Sequence, residues 1–190
     1  MITMNSFRRL LIVICAPACL ALASAAPPDG GAARPNFAGT WRLNRELSDK
    51  PQEKVKEAAG KRGGMLGRVM GGRAAEDRMK NLEGLGEVLQ IVHQDPELQV
   101  AGKNGASRQI FTDGRKVSRT TPKGESIETT ANWRGSQLVV VTQRANGGKL
   151  TQTYSLEPGG KRMIVLTRIA GQRLEQPIEL RFVYDAESGR

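Results

Sequence analysis

From Val88 to Asp185 the chain repeats one pattern, a short β-prone run followed by a cluster of turn residues. The runs are Val88–Gln94, Leu98–Ala101, Arg108–Thr112, Lys116–Thr120, Glu125–Trp133, Gln137–Gln143, Leu150–Leu156, Met163–Ile169 and Pro177–Asp185. Between them stand Asp95-Pro96, Asp113-Gly114, Arg134-Gly135, Asn146-Gly147-Gly148, Pro158-Gly159-Gly160 and similar breakers. Connections this short join neighbours only as antiparallel hairpins, because a parallel crossover needs a dozen residues or more. Alternation is clearest in Ile127, Thr129, Ala131, Trp133; in Leu150, Gln152, Tyr154, Leu156; and in Ile178, Leu180, Phe182, Tyr184. Each set has a polar opposite face, so one side of the sheet is buried and the other wet. An earlier run, Asn36–Leu43, puts Phe37, Gly39, Trp41 and Leu43 on one face. The expectation is a mainly β fold: an antiparallel up-and-down barrel of about ten strands. A lipid-facing barrel is excluded by outward residues such as Glu128, Glu179 and Arg181, which are costly in hydrocarbon.

The interval between the first strand and Val88 reads differently. Asp49 can cap a helix, with Pro51 in its first turn and Gln52 at the capping-box position, and Gly60 can end it. Six glycines from Gly60 to Gly72 then interrupt regular structure, before Ala74–Leu82 regains helical character. A short helix-loop-helix, 49–84, is therefore expected between strands 1 and 2.

At the N-terminus, Arg8 and Arg9 precede the apolar run Leu10–Ala23, and Ala23-Ser24-Ala25 follows as a small-x-small cleavage signature. Residues 1–25 read as a signal peptide and 26–35, rich in Pro, Gly and Ala, as a flexible tether; 36–190 read as one β-barrel domain. Cys15 and Cys19 both lie in the leader, so the mature chain has no thiol chemistry and no disulfide. Export to the periplasm or the extracellular space is expected. The formal charge of +10 becomes +8 without Arg8 and Arg9. Spread along an exported chain, it favours anionic membrane or envelope surfaces over nucleic acid as partners.

Phe37-Ala38-Gly39-Thr40-Trp41-Arg42-Leu43 resembles the Gly-x-Trp opening strand of lipocalins and fatty-acid-binding proteins, the calycin group. The order of elements, strand, helical segment, then nine meandering strands, is similar to that of fatty-acid-binding proteins, and Arg181-Phe182-Val183-Tyr184-Asp185 looks like their closing strand. The chain also looks like small exported bacterial proteins with a lipocalin-like domain. The resemblance implies a barrel holding a small apolar ligand, with Trp41 closing one end by a cation–π contact to a late-strand arginine, Arg168 or Arg181, beside Gly39. It departs in two respects: the glycine-rich, basic connection is looser than a well-packed lid, and the last strand differs. Arg181 and Tyr184 are three apart and face opposite sides of a regular strand, unlike the Arg-x-Tyr of fatty-acid-binding proteins.

Catalytic constellations are absent from the sequence. His93 is the sole histidine and reads as an ordinary strand residue, which leaves a metal site without its usual ligands and a serine triad without a nucleophile elbow. Glu125, Glu128, Glu175 and Glu179 read as solvated carboxylates. Met65, Leu66, Arg68, Val69 and Met70 form a candidate membrane or portal patch. The expected function is non-catalytic, cofactor-free and metal-free binding of a small apolar ligand among Tyr154, Leu166, Phe182 and Tyr184. The alternative is a structural or interaction protein of the cell envelope, its barrel filled and its basic surface on anionic partners. An interior void below about 300 Å³ favours the alternative.

Overall fold

The computed structural model describes residues 33–59, 86–102, 107–121, 124–172, 174 and 176–187. The leader, residues 26–32 of the tether, the second helical segment and the patch of Met65, Leu66, Arg68, Val69 and Met70 lie outside them. The strands are β1 (Gly39–Leu43), β2 (Val88–Gln94), β3 (Glu97–Gly102), β4 (Ser107–Phe111), β5 (Val117–Thr120), β6 (Ser126–Arg134), β7 (Gln137–Arg144), β8 (Lys149–Leu156), β9 (Arg162–Ala170) and β10 (Ile178–Ala186), with helix α1 (Pro51–Ala59) after β1. Every pairing is antiparallel, and the order is β4-β3-β2-β1-β10-β9-β8-β7-β6-β5. Because β1 pairs with both β2 and β10, the meander curls into a nearly closed barrel whose free edges are β4 and β5.

The connection between the two edges partly spans the gap. Asp113 forms a β-bridge with Asn132 of β6, and the Gly114 N–H donates to the Ala131 carbonyl at 2.9 Å. Gly114 has φ +84°, and a Cβ there would stand 2.5 Å from Asn132 Oδ1, so no other residue fits without a shift.

The outer edge of β10 beyond β1 is satisfied by backbone and side-chain groups of residues 44–49 in place of a strand. The Asn44 N–H donates to the Val183 carbonyl, Ser48 Oγ accepts the Val183 N–H at 2.9 Å, and Asp49 Oδ2 accepts the Arg181 N–H at 2.7 Å. Val183 is thereby fully buried although it points away from the barrel interior. The expected helix cap is corrected here: the Asp49 carboxylate serves the sheet edge, and α1 starts from the Lys50 carbonyl, which accepts the Glu53 and Lys54 N–H groups.

Inward positions follow the alternation, with Trp41, Leu89, Ile91, Leu98, Val100, Ile110, Leu138, Val140, Tyr154, Met163, Val165 and Phe182 among the members of one core cluster. Leu166 is the exception to the expected interior. Its neighbours Val165 and Thr167 are buried, so period-two alternation turns Leu166 outward, where it is 48% exposed.

The antiparallel order gives the barrel two ends. At one, Phe37 before β1 meets the β2–β3 turn and the β6–β7 turn; at the other lie the end of β1, the start of β2 and the 171–177 connection. The first is aromatic, with Phe37, His93, Trp133 and Tyr154 joined by ring contacts. The second is aliphatic, rimmed by the half-buried Leu43, Ile169 and Leu174.

Candidate functional site

Between the two ends, polar side chains meet inside an otherwise apolar barrel. Arg108 shares its face of β4 with the buried Ile110, so its guanidinium is carried inward across the lumen to β8. There Nη1 donates to Gln152 Oε1 at 2.8 Å and Nη2 donates to the Tyr154 hydroxyl. Gln152 and Tyr154 alternate inward on β8 and are both buried. Burial pushes the Tyr154 phenol up, and the Arg108 charge partly offsets that shift. Thr167, the register partner of Gln152, is buried as well.

This cluster is incompletely satisfied. Arg108 Nε and Thr167 Oγ1 are buried without a hydrogen-bond partner, as is Trp133 Nε1. Among the described residues no carboxylate pairs with Arg108, whereas the strand arginines Arg162, Arg168 and Arg144 reach solvent and are ion-paired: Arg162 to Asp185 at 3.0 Å and to Glu157 at 3.3 Å, Arg168 to Glu179 at 3.6 Å, Arg144 to Glu125 at 3.6 Å. A cation held inside a barrel by two neutral groups keeps most of its desolvation cost, which an anionic group would offset.

The aromatic end is built on the segment that precedes β1. Phe37 is fully buried, stacks on Trp133 with 5.9 Å between centroids and meets Tyr154 edge-on at 6.1 Å. Its N–H donates to His93 Nδ1 at 3.2 Å, and its carbonyl accepts the Trp41 indole N–H at 2.9 Å. Gly39 supplies the turn between Phe37 and Trp41, at φ +141°, a conformation that L side chains rarely adopt. Arg34 lies over the Trp133 ring at 5.7 Å and 3.7 Å from Asp95.

These contacts correct the expected closing pair. Trp41 is buried at a barrel end, but neither Arg168 nor Arg181 is its partner. Both alternate to the outer face of their strands, where Arg168 meets Glu179 and Arg181 Nη1 donates to the Leu47 carbonyl at 3.1 Å. Of the four expected ligand-contacting residues, Tyr154, Phe182 and Tyr184 are buried inside and Leu166 is not. Tyr184 and Arg181 lie on opposite faces of β10.

Arg108, Gln152, Phe37 and His93 are the residues that sequence reasoning did not single out. For Arg108 a signal existed: in Arg108–Thr112 it falls on the same parity as Ile110, a charge on an apolar face.

Two cavities border these elements. A shallow one of about 440 Å³ lies where β1 ends against β10, lined by Arg42, Leu43, Asn44, Arg45, Glu46 and Asp185. One of about 140 Å³ is lined by Arg34, Pro35, Asn36, His93 and Asp95. Neither is lined by Arg108, Gln152 or Tyr154.

No protein-family model matches the sequence, and no curated protein sequence matches it. Solved structures do share the fold. A fatty acid transporter, REP1-NXSQ, aligns over 80% of this chain and 97% of its own with a TM-score of 0.51 at 13% identity. A tyrosine-to-phenylalanine mutant of that transporter gives 0.50 over 79% and 97% at the same identity. Lipid binding protein 8 of Caenorhabditis elegans aligns over 80% and 95% with a TM-score of 0.48 at 16% identity. The chain thus shares with the REP1-NXSQ transporter its fold, a nearly closed barrel of ten antiparallel strands in this chain.

Proposed function

We propose that this chain is an exported, non-catalytic barrel that binds a small apolar ligand carrying one acidic group, with Arg108 as the anchor for that group. The observation that carries the reading is the interior guanidinium without a carboxylate partner, its Nε buried and unpartnered. One cation suits one anionic group, and the aliphatic rim of Leu43, Ile169 and Leu174 suits a hydrocarbon tail. That a protein named for fatty acid transport shares the barrel supports the same reading.

A specific observation favours a second reading, an envelope protein with a filled barrel whose basic surface touches anionic partners. Leu89, Leu98, Leu138, Tyr154, Met163 and Val165 have no accessible surface, so no water-sized void touches them. Ligand binding therefore requires side chains to move aside.

Native mass spectrometry of the protein purified from its own cells distinguishes the two. The first reading expects an anionic small molecule bound to the wild type and missing from Arg108→Met. Bare protein from both overturns it in favour of the filled barrel.

A further inference from the structure

His93 is the chain's one histidine, and its ring is enclosed, with the side chain 6% exposed. Its Nδ1 accepts the Phe37 N–H at 3.2 Å, and its Nε2 faces Asp95 Oδ1 at 3.4 Å. A ring nitrogen that accepts a hydrogen bond carries no proton, so this arrangement holds the neutral tautomer with Nε2–H donating to Asp95. Protonation converts Nδ1 into a donor. It would then face the Phe37 N–H donor to donor, and a buried backbone N–H would lose its acceptor.

We propose that His93 is a proton-operated latch that seats Phe37 in the aromatic end of the barrel while its ring is neutral and releases it when the ring is protonated. The charged groups facing the ring fit this role. Asp95, on the turn after β2, attracts an imidazolium and so makes protonation in this enclosure feasible. Its own carboxyl is held below the usual range, chiefly by the Thr112 hydroxyl at 2.7 Å and against the opposing effect of burial. Arg34, from the segment before β1, is 3.7 Å from Asp95 and opposes a second cation nearby. The sign is set by the bond: the latch exists only with the neutral ring and is lost when the ring takes up a proton, so lower pH can only weaken it.

Unseating Phe37 removes a ring that stacks on Trp133 and covers Tyr154. It opens the barrel at the end opposite the aliphatic rim. The latch goes beyond ligand binding and its readout needs no ligand, so the two proposals stand or fall separately.

The chain holds its own reporters. Both of its tryptophans touch Phe37, Trp41 through its indole N–H and Trp133 by stacking. Acrylamide quenching of tryptophan emission is measured from pH 8 to pH 5, with far-UV circular dichroism at each point. The latch predicts a step in the quenching constant of about twofold or more as pH falls, with the β spectrum unchanged. His93→Asn, whose Oδ1 stands where Nδ1 does and can accept the Phe37 N–H without titrating, shows no step. Asp95→Asn moves the step to lower pH and serves as the second variant if His93→Asn fails to fold. A flat wild-type profile, the same step in His93→Asn, or an unmoved step in Asp95→Asn overturns the latch.

Discussion

The two ends of the barrel are made of the same alternating strands, yet they close by different chemistry. At the aromatic end a residue from outside the strands, Phe37, is inserted among His93, Trp133 and Tyr154 and tied by two backbone hydrogen bonds. At the aliphatic end Leu43, Ile169 and Leu174 are half-buried, and Tyr184, the register partner of Leu43, donates its hydroxyl to the Gly86 carbonyl at 3.4 Å. The difference teaches where rigidity and give are distributed: rings bring large contact area and geometry-specific stacking, whereas half-buried aliphatics exchange packing partners at low cost. The Arg108 cluster lies between, fixed to the aromatic end through Tyr154.

Removing the plug sharpens the contrast most. Phe37→Ala is expected to cost about 3–5 kcal/mol in urea unfolding, and Ile169→Ala at the opposite rim only about 1–2 kcal/mol. Equal losses would erase the distinction between the ends. A smaller effect, with a change of sign, concerns the middle. Arg108→Met alone leaves Gln152 and Tyr154 unpaired and costs about 1–3 kcal/mol; adding Gln152→Leu and Tyr154→Phe restores stability to wild type or above, because neither former partner of Arg108 is then left unpaired. Continued loss in the triple variant would make the cluster structural.

Much of this architecture is legible in the sequence. Turn residues at short intervals and clean alternation in β6, β8 and β10 specify an antiparallel meander because hairpin chemistry is local. The Gly-x-Trp stretch is legible as an end-closing element, but its partner is not. Arg168 and Arg181 sit on the outward parity of β9 and β10, and which residue meets Trp41 depends on the path of residues 34–38 across the barrel mouth, a long-range matter with no periodicity. Leu166 is misplaced for a local reason: an apolar residue in a strand of buried neighbours reads as core unless parity is counted from Val165 and Thr167. His93 reads as ordinary because its role comes from Phe37, 56 residues away.

The outer surface yields the smallest effects. Leu166→Lys is expected to change stability by no more than about 0.5 kcal/mol, since the side chain already faces water; a loss of several kcal/mol would return Leu166 to the interior. Asp185 is held below the usual carboxylate range by the Asn44 amide and then by Arg162. A depressed folded-state value contributes stability above the ordinary carboxylate range and loses it as pH falls through the folded value. Acid titration of unfolding should therefore show a shallower decline below pH ~4 in Asp185→Asn than in wild type.

The central claim, that the Arg108 charge awaits an anionic group inside the barrel, is tested most directly by calorimetric titration with decanoate and with decyltrimethylammonium, two probes with the same tail and opposite charge. The account predicts that wild type binds decanoate at least about tenfold more tightly than the cation, and that the triple variant lacking Arg108 loses this preference. Equal affinities in wild type, or a preference that survives in the triple variant, would contradict it.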